Sequence, residues 1–122
     1  MRQIKVRGIR GANTVDGDSK SEIFRSTKDL LQEIFTVNRI NPEEIAAIYF
    51  TLTPDLNAAF PAEVTREMGM TKVPLLCMRE IGVPGSLPQV VRILLLVNTE
   101  LDQNEIKHVY LREAKNLRDD LD

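Results

Sequence analysis

Among its 122 residues the chain has no tryptophan, one cysteine and one histidine. A single cysteine cannot close an intrachain disulfide, which suits a reducing compartment. One His and one Cys give no ligand cluster at a recognised spacing, so metal catalysis finds little support. Four Phe and two Tyr are the whole aromatic complement, scarce material for the stacking platforms of single-strand nucleic-acid binders. Sixteen basic residues against eighteen acidic leave a net charge of -2, and no global field draws the chain to a phosphate backbone or an anionic membrane. No apolar run approaches the ~20 residues that span a bilayer. Met1 to Arg7 is charged every two or three residues and lacks the apolar core of a signal peptide. The expectations are a cytoplasmic protein with no nucleic-acid and no membrane partner.

What is present is a core. A hydrophobic fraction of 43% with 28% charged residues is that of an ordinary soluble globular protein, and the length suits a single domain, residues 1–122. From Ile4 to Ala12, the residues Ile4, Val6, Gly8 and Ala12 alternate with Lys5, Arg7, Ile9 and Gly11, as in a strand. Arg10 shares the first face, which is expected to be the half-buried one, and Arg7 the solvated one. A guanidinium there implies an internal carboxylate or an anionic ligand, and the two readings weigh equally.

Ser19-Lys-Ser-Glu22 has capping-box spacing. Ile23, Phe24, Thr27, Leu30, Leu31, Ile34 and Phe35 then recur at helical intervals as a core stripe, with Asn38 as a stop and Asn41-Pro42 restarting one turn. Ile45 to Thr53 reads as a buried strand. Phe60 to Met68 reads as a short helix with Pro61 near its start and Gly69 past its end, and Arg66 with Glu63 as a surface ion pair on it. Val73 to Glu80 is a short apolar strand that runs into Cys77 and Glu80. Val90 to Thr99 is the most hydrophobic strand and carries one charge, Arg92. After a cap-like turn at Asp102 to Glu105, His108 to Leu111 is a last short strand, and Arg112 to Asp122 a charged tail anchored by Leu117 and Leu121. This order predicts an α+β fold, one sheet with helices on one face.

Cys77 and His108 could form a nucleophile and base, but no local signature supports the pair, and lone cysteines are usually buried hydrophobes. Gly8-Ile-Arg-Gly11 and Gly82-Val-Pro-Gly85 lack phosphate-loop spacing and read as turn and close-approach glycines. Elimination leaves fixed cations and hydrogen-bond donors with no evident nucleophile or cofactor. Such a site suits binding a small polyanion, or a reaction that needs only orientation and charge stabilisation.

Arg7-Gly-Ile-Arg-Gly-Ala-Asn-Thr14, Thr53-Pro-Asp-Leu56, Phe60-Pro-Ala62, Val73-Pro74, Cys77-Met78, Glu80, Arg92 and His108-Val-Tyr110 resemble, in order and spacing, the monofunctional bacterial chorismate mutases of the trimeric α/β-barrel type. The resemblance runs from about Arg7 to Leu121. It implies a mixed sheet flanked by helices, a homotrimeric pseudo-barrel with active sites at the subunit interfaces, and cofactor-free conversion of chorismate to prephenate on the way to phenylalanine and tyrosine. By the same resemblance Arg92 takes the ether oxygen, and Arg10 holds a substrate carboxylate and reaches the ether region. Glu80 and Cys77 contact the ring hydroxyl and the developing ring charge. Tyr110 and Arg66 bind carboxylate or orient the arginines, Phe60 and Leu117 are apolar walls, and Arg118 matches a residue that closes over bound ligand. Glu63 departs from the pattern, standing where the best-known members carry a lysine near the pocket mouth. The reading from another class is a trimeric small-ligand binder or regulator of related architecture, which fold alone would not separate from the enzyme.

Overall fold

The structure is a computed structural model that describes residues 2–117. Arg118 and Leu121 lie outside the described residues. The elements, in chain order, are β1 (Lys5–Thr14), α1 (Lys20–Asn38), a 3-10 turn at Pro42–Glu44, β2 (Ile45–Leu52), a turn at Pro61–Glu63 leading into α2 (Val64–Glu67), β3 (Leu75–Arg79), β4 (Val90–Thr99), a turn at Gln103–Glu105, β5 (Val109–Tyr110) and a 3-10 segment, Arg112–Leu117. The strands form one mixed sheet in the order β3-β2-β4-β1-β5. β4 runs antiparallel to both β1 and β2, while β3 and β5 add in parallel at the two edges.

Helix α1 begins where the sequence places it, because the Ser19 hydroxyl accepts the Glu22 amide at 3.2 Å. The box is half made, since Glu22 turns instead to Arg25 at 2.6 Å. Ile23, Leu30, Leu31 and Ile34 of α1 pack with Ile9, Ile48, Phe50 and Leu95 of the sheet in one buried cluster. At the helix end Asn38 acts as a clamp: its amide nitrogen donates to the Lys107 carbonyl at 2.9 Å and its oxygen accepts the Lys107 amide at 2.8 Å. The chain entering β5 is therefore held to α1 before it pairs with β1.

The two faces of β1 are the reverse of the expectation. Ile9, Gly11 and Asn13 face α1 and are buried, whereas Ile4 and Val6 are 68% and 54% exposed and Arg10 is exposed with them. Arg10 has no ion-pair partner among the described residues, so it is neither half-buried nor held by an internal carboxylate, and of its two readings the anionic ligand is the one left. Arg7, on the helix side, is half-buried and donates to the Leu101 carbonyl at 3.0 Å. The reason lies in Gly11. A Cβ there would stand 2.9 Å from Ile34 Cδ1, 3.0 Å from Leu30 Cδ1 and 3.1 Å from the Val109 carbonyl. The missing side chain lets α1 and β5 close on β1. Gly11→Ala is expected to cost about 1–3 kcal/mol by overpacking, read as a lower denaturant midpoint. An unchanged midpoint would mean that the contact relaxes freely and does not set the helix-to-strand distance.

Candidate active site

Strand pairing assembles the open face of the sheet. Tyr110, Ala12, Arg92, Thr51 and Met78 are successive partners across all five strands. Paired residues point to the same side of a sheet, so this row crosses the face away from α1. Arg10 sits two residues along β1 on the same side, in a row with Leu94, Tyr49 and Leu76. All of these except Leu76, together with Glu80, Ile81 and Val83, line a cavity of about 770 Å³, ample for a small organic acid.

Arg92 and Glu80 meet at its centre. Arg92 Nε lies 2.5 Å from Glu80 Oε1, yet its N–H is not aimed at that oxygen and has no hydrogen-bond partner. The same carboxylate oxygen accepts the Thr51 hydroxyl at 3.3 Å. Glu80 itself is placed by its amide, which extends the β2–β3 ladder to the Leu52 carbonyl at 3.0 Å. A guanidinium whose Nε–H makes no hydrogen bond, set beside a carboxylate on the cavity wall, forms a dipole that can receive a polar guest. Arg10 is positioned from the backbone: its amide donates to His108 Nδ1 at 2.9 Å, continuing the short β5 ladder through a side chain. Tyr110 and Leu117 are half-buried near Ala12 and Val90 at the same end.

The other sequence-predicted residues stand elsewhere. Cys77 projects to the helix side of β3, beside Phe50 rather than beside Glu80. With Phe60, Pro61, Glu63, Leu56 and Lys20 it lines a second cavity of about 620 Å³. The two cavities share Met78 and Arg79 across the edge of β3. Burial pushes the Cys77 thiol up, hydrogen bonding from the Ala62 backbone pulls it down, and the Glu63 charge raises it further, for a net rise. The thiol is thus a hydrogen-bond donor and a poor nucleophile. Its supposed base is remote, because Cys77 is on β3 and His108 leads into β5, the two opposite edges of the sheet. Arg66 is exposed on α2, outside the lining of both cavities, and makes no ion pair with Glu63 among the described residues. Among the described residues no three His, Cys, Asp or Glu side chains gather where they could hold a metal ion.

Sequence reasoning missed Thr51, Lys20 and Arg79. Thr51 reads locally as one β-branched strand residue among several, and only the parallel register of β2 with β3 brings it to Glu80. Arg79 donates to the Thr53 and Leu56 carbonyls at 2.8 and 2.9 Å and to Asn57 Oδ1 at 2.7 Å, fixing the loop that carries Phe60. Its place two residues after Cys77 was the available signal, since alternation sends Cys77 and Arg79 to one side of the strand and Met78 and Glu80 to the other.

A family model described as chorismate mutase type I matches residues 6–121. The chain belongs to this family. It is 53% identical over 118 residues to the chorismate mutase AroH of Thermus thermophilus, covering 96% of this chain and 97% of that one. The chorismate mutase AroH of Bacillus subtilis is 44% identical over 117 residues, covering 95% and 92%. A solved chorismate mutase from Clostridium thermocellum superposes with a TM-score of 0.88 at 48% identity, over 89% of this chain and 97% of that one. The α+β architecture and its mixed sheet are therefore those of a chorismate mutase, an isomerase of aromatic amino-acid biosynthesis. Arg92, Glu80, Arg10 and Tyr110 share one cavity of this chorismate mutase, and Cys77 and Phe60 share the other.

Proposed function

We propose that the open-face cavity is the catalytic half of a chorismate mutase site, completed by the loop-side cavity of a second copy in a homotrimer. The rearrangement of chorismate breaks the ether C–O bond as a new C–C bond forms, in one concerted shift. No proton moves and no nucleophile is needed. The rate must come from holding the compact conformer, which removes an entropic cost, and from charge placed where charge grows in the transition state. Negative charge grows on the ether oxygen, and the observation that carries this reading is the unpartnered N–H of Arg92 beside Glu80. Arg92 donates to that oxygen, while Arg10 holds a carboxylate and approaches the ether from the neighbouring row. Glu80 faces the ring, where positive charge develops, and Tyr110 and Leu117 close the far wall.

Geometry and the surface both support the homotrimer reading. Cys77 and Glu80 leave β3 on opposite sides and line different cavities, which favours a substrate held between Glu80 of one chain and Cys77 of another. The open face also leaves Leu76, Met78 and Leu94 52%, 43% and 40% exposed, in line with Val6, an apolar patch of the kind that marks an interface. A head-to-tail contact of an open face with a loop-side face closes into a ring when the rotation permits. In that arrangement Cys77 donates its S–H to the ring hydroxyl and Phe60 packs on the substrate. The lone thiol fits a cytoplasmic setting, and one core cluster drawn from β1 through β5 fits a single domain over residues 1–122. No helix among the described residues is long and apolar enough to cross a membrane.

The direct test is loss of the chorismate diene absorbance with purified protein. Binding of chorismate with no loss of absorbance would leave a ligand binder and remove the enzyme. A narrower expectation concerns the thiol. Cys77→Ser should keep most of the activity, because a hydroxyl still donates a hydrogen bond, whereas a nucleophilic cysteine would not tolerate the change. Near-complete loss in a folded Cys77→Ser variant would contradict a donor role.

A further inference from the structure

The loop-side cavity has an electrostatic difficulty on the reading above. Chorismate is a dianion, and Glu63 on the cavity wall repels it. Two cations share that wall, Arg79 and Lys20. Arg79 is committed, since its guanidinium donates to the Thr53 and Leu56 carbonyls and to Asn57 Oδ1. Moving it to a ligand would release the loop that presents Phe60.

Lys20 is not committed. It is exposed, and among the described residues no carboxylate lies within ion-pair distance of it. Its ammonium rests 5.3 Å above the Phe24 ring, a contact that is weak where water reaches it. Its backbone, by contrast, is fixed. Asp18 Oδ1 accepts the Asn57 and Ala58 amides at 2.8 and 2.9 Å, and Ser19 caps the helix that Lys20 begins. The first turn of α1 is thereby stapled to the loop that leads to Phe60. A long, flexible stem on a fixed root, with an ammonium free to leave an aromatic face, can follow a carboxylate into the cavity.

We infer that Lys20 is the carboxylate-binding cation of the loop-side half-site, offsetting Glu63 on the same wall. This rests on the reading of that cavity as half of the chorismate site. Lys20 is a binding residue remote from the breaking bond, so it acts equally on ground and transition states. Lys20→Met is expected to raise KM for chorismate roughly 3- to 10-fold with kcat unchanged. Lys20→Arg restores KM, and the difference between Lys20→Met and the parent shrinks in high salt, where an exposed charge is screened. The companion variant is Phe60→Ala, which raises KM if the loop-side cavity receives substrate at all. A parent-like KM in Lys20→Met beside a raised KM in Phe60→Ala overturns the role of Lys20 alone. Parent-like KM values in both overturn the half-site reading and Lys20 with it. A fall in kcat at constant KM in Lys20→Met also overturns it, because binding felt equally by both states cannot give that pattern.

Discussion

Replacing Arg92 by citrulline, its uncharged isostere, is expected to lower chorismate turnover ~100- to 1000-fold, about 3 to 4 kcal/mol, with little change in folding. The expectation follows from what holds Arg92 and what does not. Its side chain is 37% exposed, and its Nε is close to Glu80 without a hydrogen bond between them. Glu80 keeps the Thr51 hydroxyl when the charge is removed. An arginine that served the fold would direct its N–H groups at protein acceptors, as Arg79 does, and its loss would appear in the denaturant midpoint. Arg92 instead keeps a donor unspent. Citrulline retains the planar shape and the Nε–H, exchanges one terminal NH2 for a carbonyl oxygen and loses the charge, so the defect should fall on kcat with chorismate still bound. Arg92→Lys is impaired as well, because a point charge on a flexible stem cannot reproduce the planar fork that faces both Glu80 and the ether oxygen. A citrulline variant that folds, binds chorismate and turns over near the parent rate would exclude the electrostatic mechanism.

Arg92 was legible because it is the one charge in the run from Val90 to Val97, where a lone guanidinium has to have a purpose. The cap at Ser19, the stripe of α1 and the boundaries of β4 were equally plain, since each rests on local chemistry that the structure reproduces. The faces of β1 were not. Both sides of that strand carry apolar residues, and the side with Ile4 and Val6 looks more like core than the side with Lys5 and Arg7. Gly11 has no side chain to register in a hydropathy pattern, although its emptiness is what draws α1 down onto β1. On the homotrimer reading the apolar residues of the open face answer to an interface, and periodicity cannot distinguish a core from a surface that a second chain covers. The site divided along the same line. Arg92, Glu80 and Cys77 stood out individually, whereas the joining of Arg92 to Tyr110, Ala12 and Thr51 depends on register between strands far apart in sequence. Tyr110, Phe60, Arg66, Leu117 and Arg118 entered through resemblance, whereas Arg10 was read from its place in the strand pattern. That resemblance named the residues but left open which belong to one chain's cavity, a separation that the alternation of β3 makes explicit.

That separation leads to the largest change in activity to be expected of this protein, a rescue. Arg92→Ala removes the cation of the open-face half, and Phe60→Asp places a carboxylate where the loop-side half would meet a dianion. Each homotrimer alone should be nearly inactive at low substrate, for unrelated reasons. In mixed trimers, formed by co-expression or by refolding the two chains together, a site that draws its open-face half from one chain and its loop-side half from the next is wholly intact when the first chain carries Phe60→Asp and the second Arg92→Ala. Random assembly at equal amounts makes roughly one quarter of all sites intact. Activity should therefore rise from a small residue to roughly a quarter of the parent value, with parent-like KM in the recovered fraction. A site built within one chain predicts the opposite, since every chain carries one broken half and mixing cannot repair it. Phe60 makes the cross-chain arrangement physically reasonable, for it is a large hydrophobe 65% exposed on the rim of its own cavity, a position that gains from being covered by substrate and a neighbouring subunit. Mixed oligomers no more active than the mean of the two variants, or light scattering that shows a monomer turning over chorismate at the parent rate, would show that one chain is sufficient and would break the argument from the two sides of β3.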